Sequence, residues 1–352
     1  MGEPKTPDEL ADAVRSAPRV IAIGGGTKPR MGRVGDEFVR VSMLRLRGIV
    51  EYEPSEFTFT ALAGTPVREI AAALAERGQY LPFDPMLAEA GATIGGTVAA
   101  GLSGPGRFRF GGLRDFILGV RFVDGEGRLL RMGGKVVKNA AGFDLPKFFV
   151  GSAGRLGVLA EVTFKVFPRR AAMRTLWVES GDTAAQARIF SEAANGRWEI
   201  DALDAAAGED GVLVRLAGPD AALEPIAKEI LARWPGRVLR EDETRETWRS
   251  ATEFGWAHGG GALAKVVLTP ATVPEFCGRV TAVKDARGWM SGGGNVGYVS
   301  VPAGAGLPAL ELPAVALRGE VPLWPGTKPR FEVMRRVKMA LDPQRRFPDL
   351  DE

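Results

Sequence analysis

Three glycine-rich interruptions, each joined to a strand-like run, dominate residues 20–165 and restrict what this chain can fold into. Gly24-Gly25-Gly26-Thr27-Lys28-Pro29-Arg30-Met31-Gly32 follows the apolar run Arg19–Ile23. Ala92-Thr93-Ile94-Gly95-Gly96-Thr97-Val98-Ala99-Ala100-Gly101 lies inside a longer glycine-rich stretch over 84–112. Gly151-Ser152-Ala153-Gly154-Arg155-Leu156-Gly157 leads into the strand-like run Val158–Phe167. Glycine has no Cβ, so backbone there can take positive φ or lie close against another group. The first loop fails as a dinucleotide fingerprint, because Pro29 holds the third glycine position, and no Gly-Lys-Ser/Thr follows to make a P-loop. By itself it reads equally as a tight turn or as backbone amides cradling an anion. The second stretch offers hydroxyls at Thr93 and Thr97 among small side chains. It suits a ligand lying flat on the backbone, or a helix packed closely on a sheet.

The surrounding text alternates strand and helix patterns. Residues 7–17 read as a helix started near Thr6 or Asp8, Glu56–Ala63 as a half-buried strand, and Val67–Arg77 as an amphipathic helix entered through Pro66 and closed by Gly78. These first passages look βαβ-like. Ile117–Val123 and Arg128–Arg131 are expected to form strands around the turn 124–127. The Arg169-Arg170 junction marks a domain boundary. Beyond it come a strand at Trp177–Glu179, a helix at Asp182–Ala194, a strand at Gly211–Leu216 and a helix at Ala221–Arg233, an order that suggests an antiparallel sheet with helices on one face. Residues 290–330 read as loop, and Phe331–Leu341 as a last helix ended by Asp342-Pro343.

Composition removes several function classes. With 352 residues the chain is long enough for two domains. Its 46 basic and 43 acidic side chains are interspersed, which argues against a nucleic-acid-binding face. A single cysteine, Cys277, cannot supply the roughly four thiolates of an iron–sulfur cluster. A single histidine, His258, makes a His-rich metal site impossible and a Ser/His/Asp triad improbable, so no metal ligands are assigned. His258 in Trp256-Ala-His-Gly-Gly reads as a loop residue, with general-base chemistry on a substrate hydroxyl as the alternative. No signal peptide and no membrane-spanning run is evident. The expected location is cytoplasmic, with membrane association through partner subunits as the alternative.

The order of the parts carries more than any one of them. GGGTKPRMG, PFDP, ATIGGTVAAG, RDFILGVRFVDGEG, KNAAGFDL and VGSAGRLGVLAEVTFKV together resemble the PCMH-type FAD-binding family. Within it the chain is similar to the FAD-binding E subunits of bacterial glycolate oxidases, strongly over about residues 20–170. The resemblance implies an α+β fold: a PCMH-type FAD-binding domain of two α/β subdomains over 1–169, a cap domain with an antiparallel sheet and helices over 170–325, and a C-terminal segment, 326–352, packing back on the FAD domain. It implies that Gly24, Gly25, Gly26, Thr27 and Lys28 wrap the pyrophosphate, and that Thr93, Gly95, Gly96 and Ala99 line the diphosphate and flavin side. Gly101, Gly104, Arg114 and Asp115 would shape a second turn, Pro85 in PFDP would join them, and Gly157 and Val158 would meet the ribityl or adenine part. Arg114 and Asp115 also read as a local polar pair. Lys138 is a candidate for favouring reduced flavin, or an ordinary surface lysine, and Asp144 reads best as the N-cap of a helix over 145–150. The C-terminal pattern, Lys338-Met-Ala-Leu-Asp-Pro343 with Phe347-Pro348, lacks the family's terminal glycine. The expected cofactor is FAD held non-covalently, since residues 1–257 contain no His or Cys for a covalent bond. No catalytic residue is assigned. The implied partners are a catalytic flavoprotein subunit and an iron–sulfur subunit of a glycolate oxidase complex acting on a small 2-hydroxy acid, this chain relaying electrons between them. Direct oxidation of the acid by this chain is the alternative, and a structural scaffold is another. A cell-wall-precursor reductase of the same fold fits less well, because no nicotinamide signature is present.

Overall fold

The computed structural model describes residues 2–134 and 145–351, and it packs as two compact units. The first comprises Met1–Leu102, Leu113–Arg169 and Arg330–Glu352, the second Ser103–Gly112 and Arg170–Pro329.

In the first unit α1 (Pro7–Ser16) starts at Thr6, whose hydroxyl accepts from the Glu9 amide, with Pro7 at the first helical position. Leu10 and Val14 on its inner face are fully buried. The strand β1 (Val20–Ile23) pairs parallel with β2 (Val39–Ser42). Next come β3 (Ile49–Glu53), β4 (Thr58–Leu62), α2 (Val67–Ala75), β5 (Gln79–Tyr80) and α3 (Ile94–Ala100). After the short α4 (Arg107–Phe110) of the second unit, β6 (Ile117–Val123), β7 (Leu129–Gly133), β8 (Val158–Lys165) and β9 (Phe167–Pro168) complete it. A five-stranded sheet among the described residues runs β3-β4-β8-β6-β7, every pairing antiparallel. β8 is buried from Val158 to Phe164, and Phe59 stacks on Phe164 at 5.9 Å. Each such buried ring contributes about 1.5–3 kcal/mol of apolar burial.

The βαβ expectation is corrected here. The passage from β1 to β2 contains no helix, and β4 has antiparallel neighbours on both sides. A parallel crossover needs a dozen or more residues, usually a helix, and the glycines and Pro29 between β1 and β2 hold an open loop instead. The segment 92–101, read for its small side chains, forms a helix.

The second unit continues with β10 (Ala172–Glu179), α5 (Thr183–Asn195), β11 (Ile200–Ala206), β12 (Gly211–Gly218), α6 (Asp220–Arg233), β13 (Gly236–Val238), α7 (Glu241–Glu253), β14 (Ala262–Val267), α8 (Val273–Thr281), β15 (Arg287–Ser291), β16 (Val296–Val301) and β17 (Ala314–Arg318). Its eight-stranded sheet among the described residues is antiparallel, in the order β13-β10-β12-β11-β15-β16-β14-β17. The expected loop over 290–330 therefore contains two strands. Gly292, Gly293 and Gly294, all at positive φ, make the turn that brings β16 back onto β15. The last helix, α9 (Glu332–Leu341), belongs to the first unit.

Candidate cofactor site

A cleft of about 300 Å³ opens in the first unit where three loops meet. β1 delivers the first. Val20 and Ile21 are buried, and the chain then turns through Gly24-Gly25-Gly26, the last at φ +66°. A Cβ on Gly24 would strike the Thr93 hydroxyl, and one on Gly25 would strike the Gly91 carbonyl oxygen, so this loop lies directly on the segment that enters α3. A Cβ on Gly26 would meet nothing within 4 Å. The amides of Gly25, Gly26 and Thr27 donate to no group among the described residues.

α3 forms the second wall. Thr93 caps it by accepting from the Gly96 amide at 3.3 Å. The Gly95 amide donates to the Ala63 carbonyl at 2.8 Å, and a Cβ on Gly95 would stand 2.6 Å from the Ala63 Cβ. Glycine is thus required for the helix to sit against the end of β4. The third wall is the turn Ser152-Ala153-Gly154 and the start of β8, tied to α3 by hydrogen bonds from the Gly151 amide to the Val98 carbonyl (3.0 Å) and from the Ala153 amide to the Ala99 carbonyl (2.8 Å). The lining is mostly apolar, with Ile21, Ile23, Met31, Met43 and Leu159 among it; among the described residues its charged side chains are Lys28 and Arg40, with no carboxylate.

Open amides and two cations beside an apolar wall form a surface for a ligand that is anionic in one part and flat and apolar in another. Residues 2–133 match the FAD binding domain family. This part of the chain is an FAD binding domain. The chain is 37% identical over 228 residues to "Glycolate oxidase subunit GlcE" of Escherichia coli (strain K12), a match covering 64% of this chain and 63% of that protein. It is 32% identical over 164 residues to "Glycolate oxidase subunit GlcD" of Bacillus subtilis (strain 168), covering 46% of this chain and 34% of the relative. A "D-2-hydroxyglutarate dehydrogenase" of Xanthomonas citri pv. viticola is 31% identical over 46% of this chain and 35% of its own length. The chain thus spans less than two thirds of each of these relatives. Among solved structures, alkyldihydroxyacetonephosphate synthase superposes with a TM-score of 0.69 at 16% identity, over 98% of this chain and 74% of that one, which establishes a shared fold.

Within the FAD binding domain and the β8 start, the cleft collects Gly24, Gly25, Gly26, Thr27, Lys28, Thr93, Gly95, Gly96, Ala99, Gly157 and Val158. Five expected residues do not line it. Pro85 lies in a turn that places Met86 and Leu87 in the core. Gly101, at φ +61°, closes α3, where a Cβ would come within 3.0 Å of the Gly151 backbone. Gly104 belongs to the second unit. Arg114 and Asp115 are exposed in the short helical turn before β6. Thr97, expected as a donor to the ligand, has a buried hydroxyl outside the lining. Lys138 and Asp144 lie outside the described residues. Sequence reasoning missed Arg40, Met43 and the turn Ser152–Gly154; the last was in plain view inside VGSAGRLG, whereas nothing in the short β2 marks Arg40. The residues present fit FAD: amides and cations for the diphosphate, apolar walls for a ring system.

Gly96 separates ligand space from protein packing. Its Cβ would meet only the Thr93 hydroxyl oxygen, at 3.0 Å, and would otherwise enter the cleft. Gly96→Val should therefore abolish flavin retention while the melting temperature of the apoprotein stays within a few degrees of wild type. His258→Ala should retain flavin. Visible absorbance after gel filtration reads both, and a fully yellow Gly96→Val would place the cofactor elsewhere.

In the second unit the His258 ring pairs through Nε2 with the Asp285 carbonyl oxygen at 2.7 Å, as in a structural loop. Cys277 is buried, its Sγ 3.4 Å from the Met290 sulfur, and burial pushes its thiol up to about 11. A titratable group absent from the sequence reading lies on the sheet. Lys265, Tyr298 and Trp289 are successive cross-strand neighbours on β14, β16 and β15 and so share a face. The Trp289 indole donates to Asp204 Oδ2 at 2.8 Å. Burial pushes the Asp204 carboxyl up to about 6 against the hydrogen bonds from Trp289 and Gly292. Lys265 is half-buried by surface, yet its ammonium is shielded enough to be pushed down to about 8, with repulsion from Arg107 as the second cause.

Proposed function

We propose that this chain is the FAD-holding subunit of a multi-subunit oxidase or dehydrogenase of glycolate or another small 2-hydroxy acid, relaying electrons between a catalytic flavoprotein and an iron–sulfur protein. The observation that carries the reading is the cleft, with its open amides at Gly25–Thr27 and its cations Lys28 and Arg40. FAD bound there would supply the redox chemistry. Lys28 and Arg40 would offset the charge of its diphosphate, the amides would donate to it, and Ile21, Ile23, Met31 and Leu159 would keep water from its apolar part. The names of the E. coli and B. subtilis relatives support a glycolate oxidase assembly, and the hydroxy acid dehydrogenases support the substrate class. The second unit serves as the cap domain of this fold. His258 is held by a carbonyl and Cys277 is buried and alone, which supports dependence on other subunits for substrate oxidation and for onward transfer. Among the described residues no helix is long and apolar enough to cross a membrane.

A second reading is direct oxidation of the hydroxy acid by this chain. Affinity purification of the tagged chain from its native cell distinguishes the two. Recovery with a second flavoprotein and a cluster-containing protein is expected; recovery of an active single-subunit dehydrogenase would overturn the relay.

A further inference from the structure

We propose that Arg155 and Lys338 are positioning residues through which the C-terminal helix sets how tightly the cleft holds FAD, an inference that rests on FAD occupying that cleft. Neither side chain lines the cleft. Arg155 is 2% exposed and lies in the turn between Gly154 and the start of β8. Its Nη1 donates to the Met31 carbonyl at 2.6 Å and also to the Ala153 carbonyl. Met31 belongs to the first loop and Ala153 to the third wall, and both line the cleft. One guanidinium therefore fixes the spacing of two walls that lie far apart in sequence.

Arg155 is held in turn from α9. Lys338 is 7% exposed, and its ammonium donates to the Arg155 carbonyl (3.1 Å), the Phe347 carbonyl (3.1 Å) and Asp342 Oδ2 (2.8 Å). An ammonium has three donors, and these three acceptors match them. Asp342 is fully spoken for as well: its carboxylate accepts from the Arg346 and Phe347 amides at 2.8 and 3.0 Å. The same segment reaches the start of the first loop, because the Val20 amide of β1 donates to the Arg346 carbonyl at 2.7 Å. Residues 338–347 thus brace both ends of the clamp, the root of β1 and the Arg155 turn. Binding to preformed walls avoids the cost of ordering them, so loosening the brace weakens affinity without removing a contact to the ligand.

The test compares Arg155→Lys and Lys338→Met with Leu10→Ala, a core truncation in α1 whose side chain makes none of the clamp's hydrogen bonds. FAD dissociation constants and release rates are read from flavin fluorescence well below each variant's melting temperature, alongside the melting temperature of each apoprotein. Arg155→Lys keeps the charge but reaches one of the two carbonyls, and it decides the matter if Lys338→Met does not fold. Both clamp variants should bind FAD roughly tenfold or more weakly and release it faster, whereas Leu10→Ala should melt earlier yet keep its affinity within about twofold. Clamp variants with wild-type affinity, or with losses that merely track melting temperature as in Leu10→Ala, would overturn the proposal. Failure of the wild-type chain to bind FAD would instead overturn the reading beneath it.

Discussion

Gly25→Val should strip the protein of its flavin and lower the stability of the first unit. The position is not at positive φ, so conformational freedom is not the issue. A Cβ there would overlap the Gly91 carbonyl oxygen and stand 2.9 Å from its carbon and 3.5 Å from the Ala92 Cα. These are backbone atoms that cannot rotate aside, and Thr93, which caps α3, follows immediately. Relief requires the first loop to lift away from the second wall. Overpacking of this kind costs about 1–3 kcal/mol, and each kcal/mol lowers the melting temperature by roughly 2–4 °C in a domain of this size. Affinity should fall further than stability, since displacing the loop moves the amides of Gly25–Thr27 together; a loss of about a hundredfold corresponds to ~2.8 kcal/mol. Calorimetry of the apoprotein and titration with FAD measure the two effects. Normal affinity in Gly25→Val would mean that the first loop does not face the cofactor.

That variant also shows how the glycines were misread in part. The family resemblance assigned them to ligand contact. In the structure Gly24, Gly25 and Gly95 are needed one layer further out, where the loop, the entry to α3 and the end of β4 press on one another; Gly96 is the position where absence of a Cβ leaves room for a ligand. Both roles produce the same letter, so pattern alone cannot separate them. Much else was legible. α1 was legible through Thr6 and α2 through Pro66 and Gly78, and residues 24–28, 93, 95, 96, 99, 157 and 158, drawn from three glycine motifs, gather around one cleft. α3 was one of two open readings of its segment, because its small residues have no amphipathic period to decide for a helix. β16 was hidden behind three consecutive glycines that resembled loop. Lys338 entered the sequence reading only as the start of the C-terminal pattern, and it is the fold that brings it under the Arg155 carbonyl. Asp204 and Lys265 gave no signal either, since their titration depends on burial against strands far away in sequence.

The relay reading is tested most directly by mixing the purified yellow protein anaerobically with excess glycolate, D-lactate or L-lactate. Removing hydride from an α-carbon requires the hydroxyl proton to leave, and a well-placed base contributes about 10²–10⁴-fold. His258 is committed to the Asp285 carbonyl, and no group of three or more His, Cys, Asp or Glu among the described residues could hold an activating metal. Onward transfer has no cluster within the chain, because Cys277 is its single cysteine. The flavin should therefore keep its visible absorbance in the presence of all three acids and lose it once the catalytic flavoprotein partner is added. Prompt bleaching by any of the acids with no other subunit present would contradict the relay.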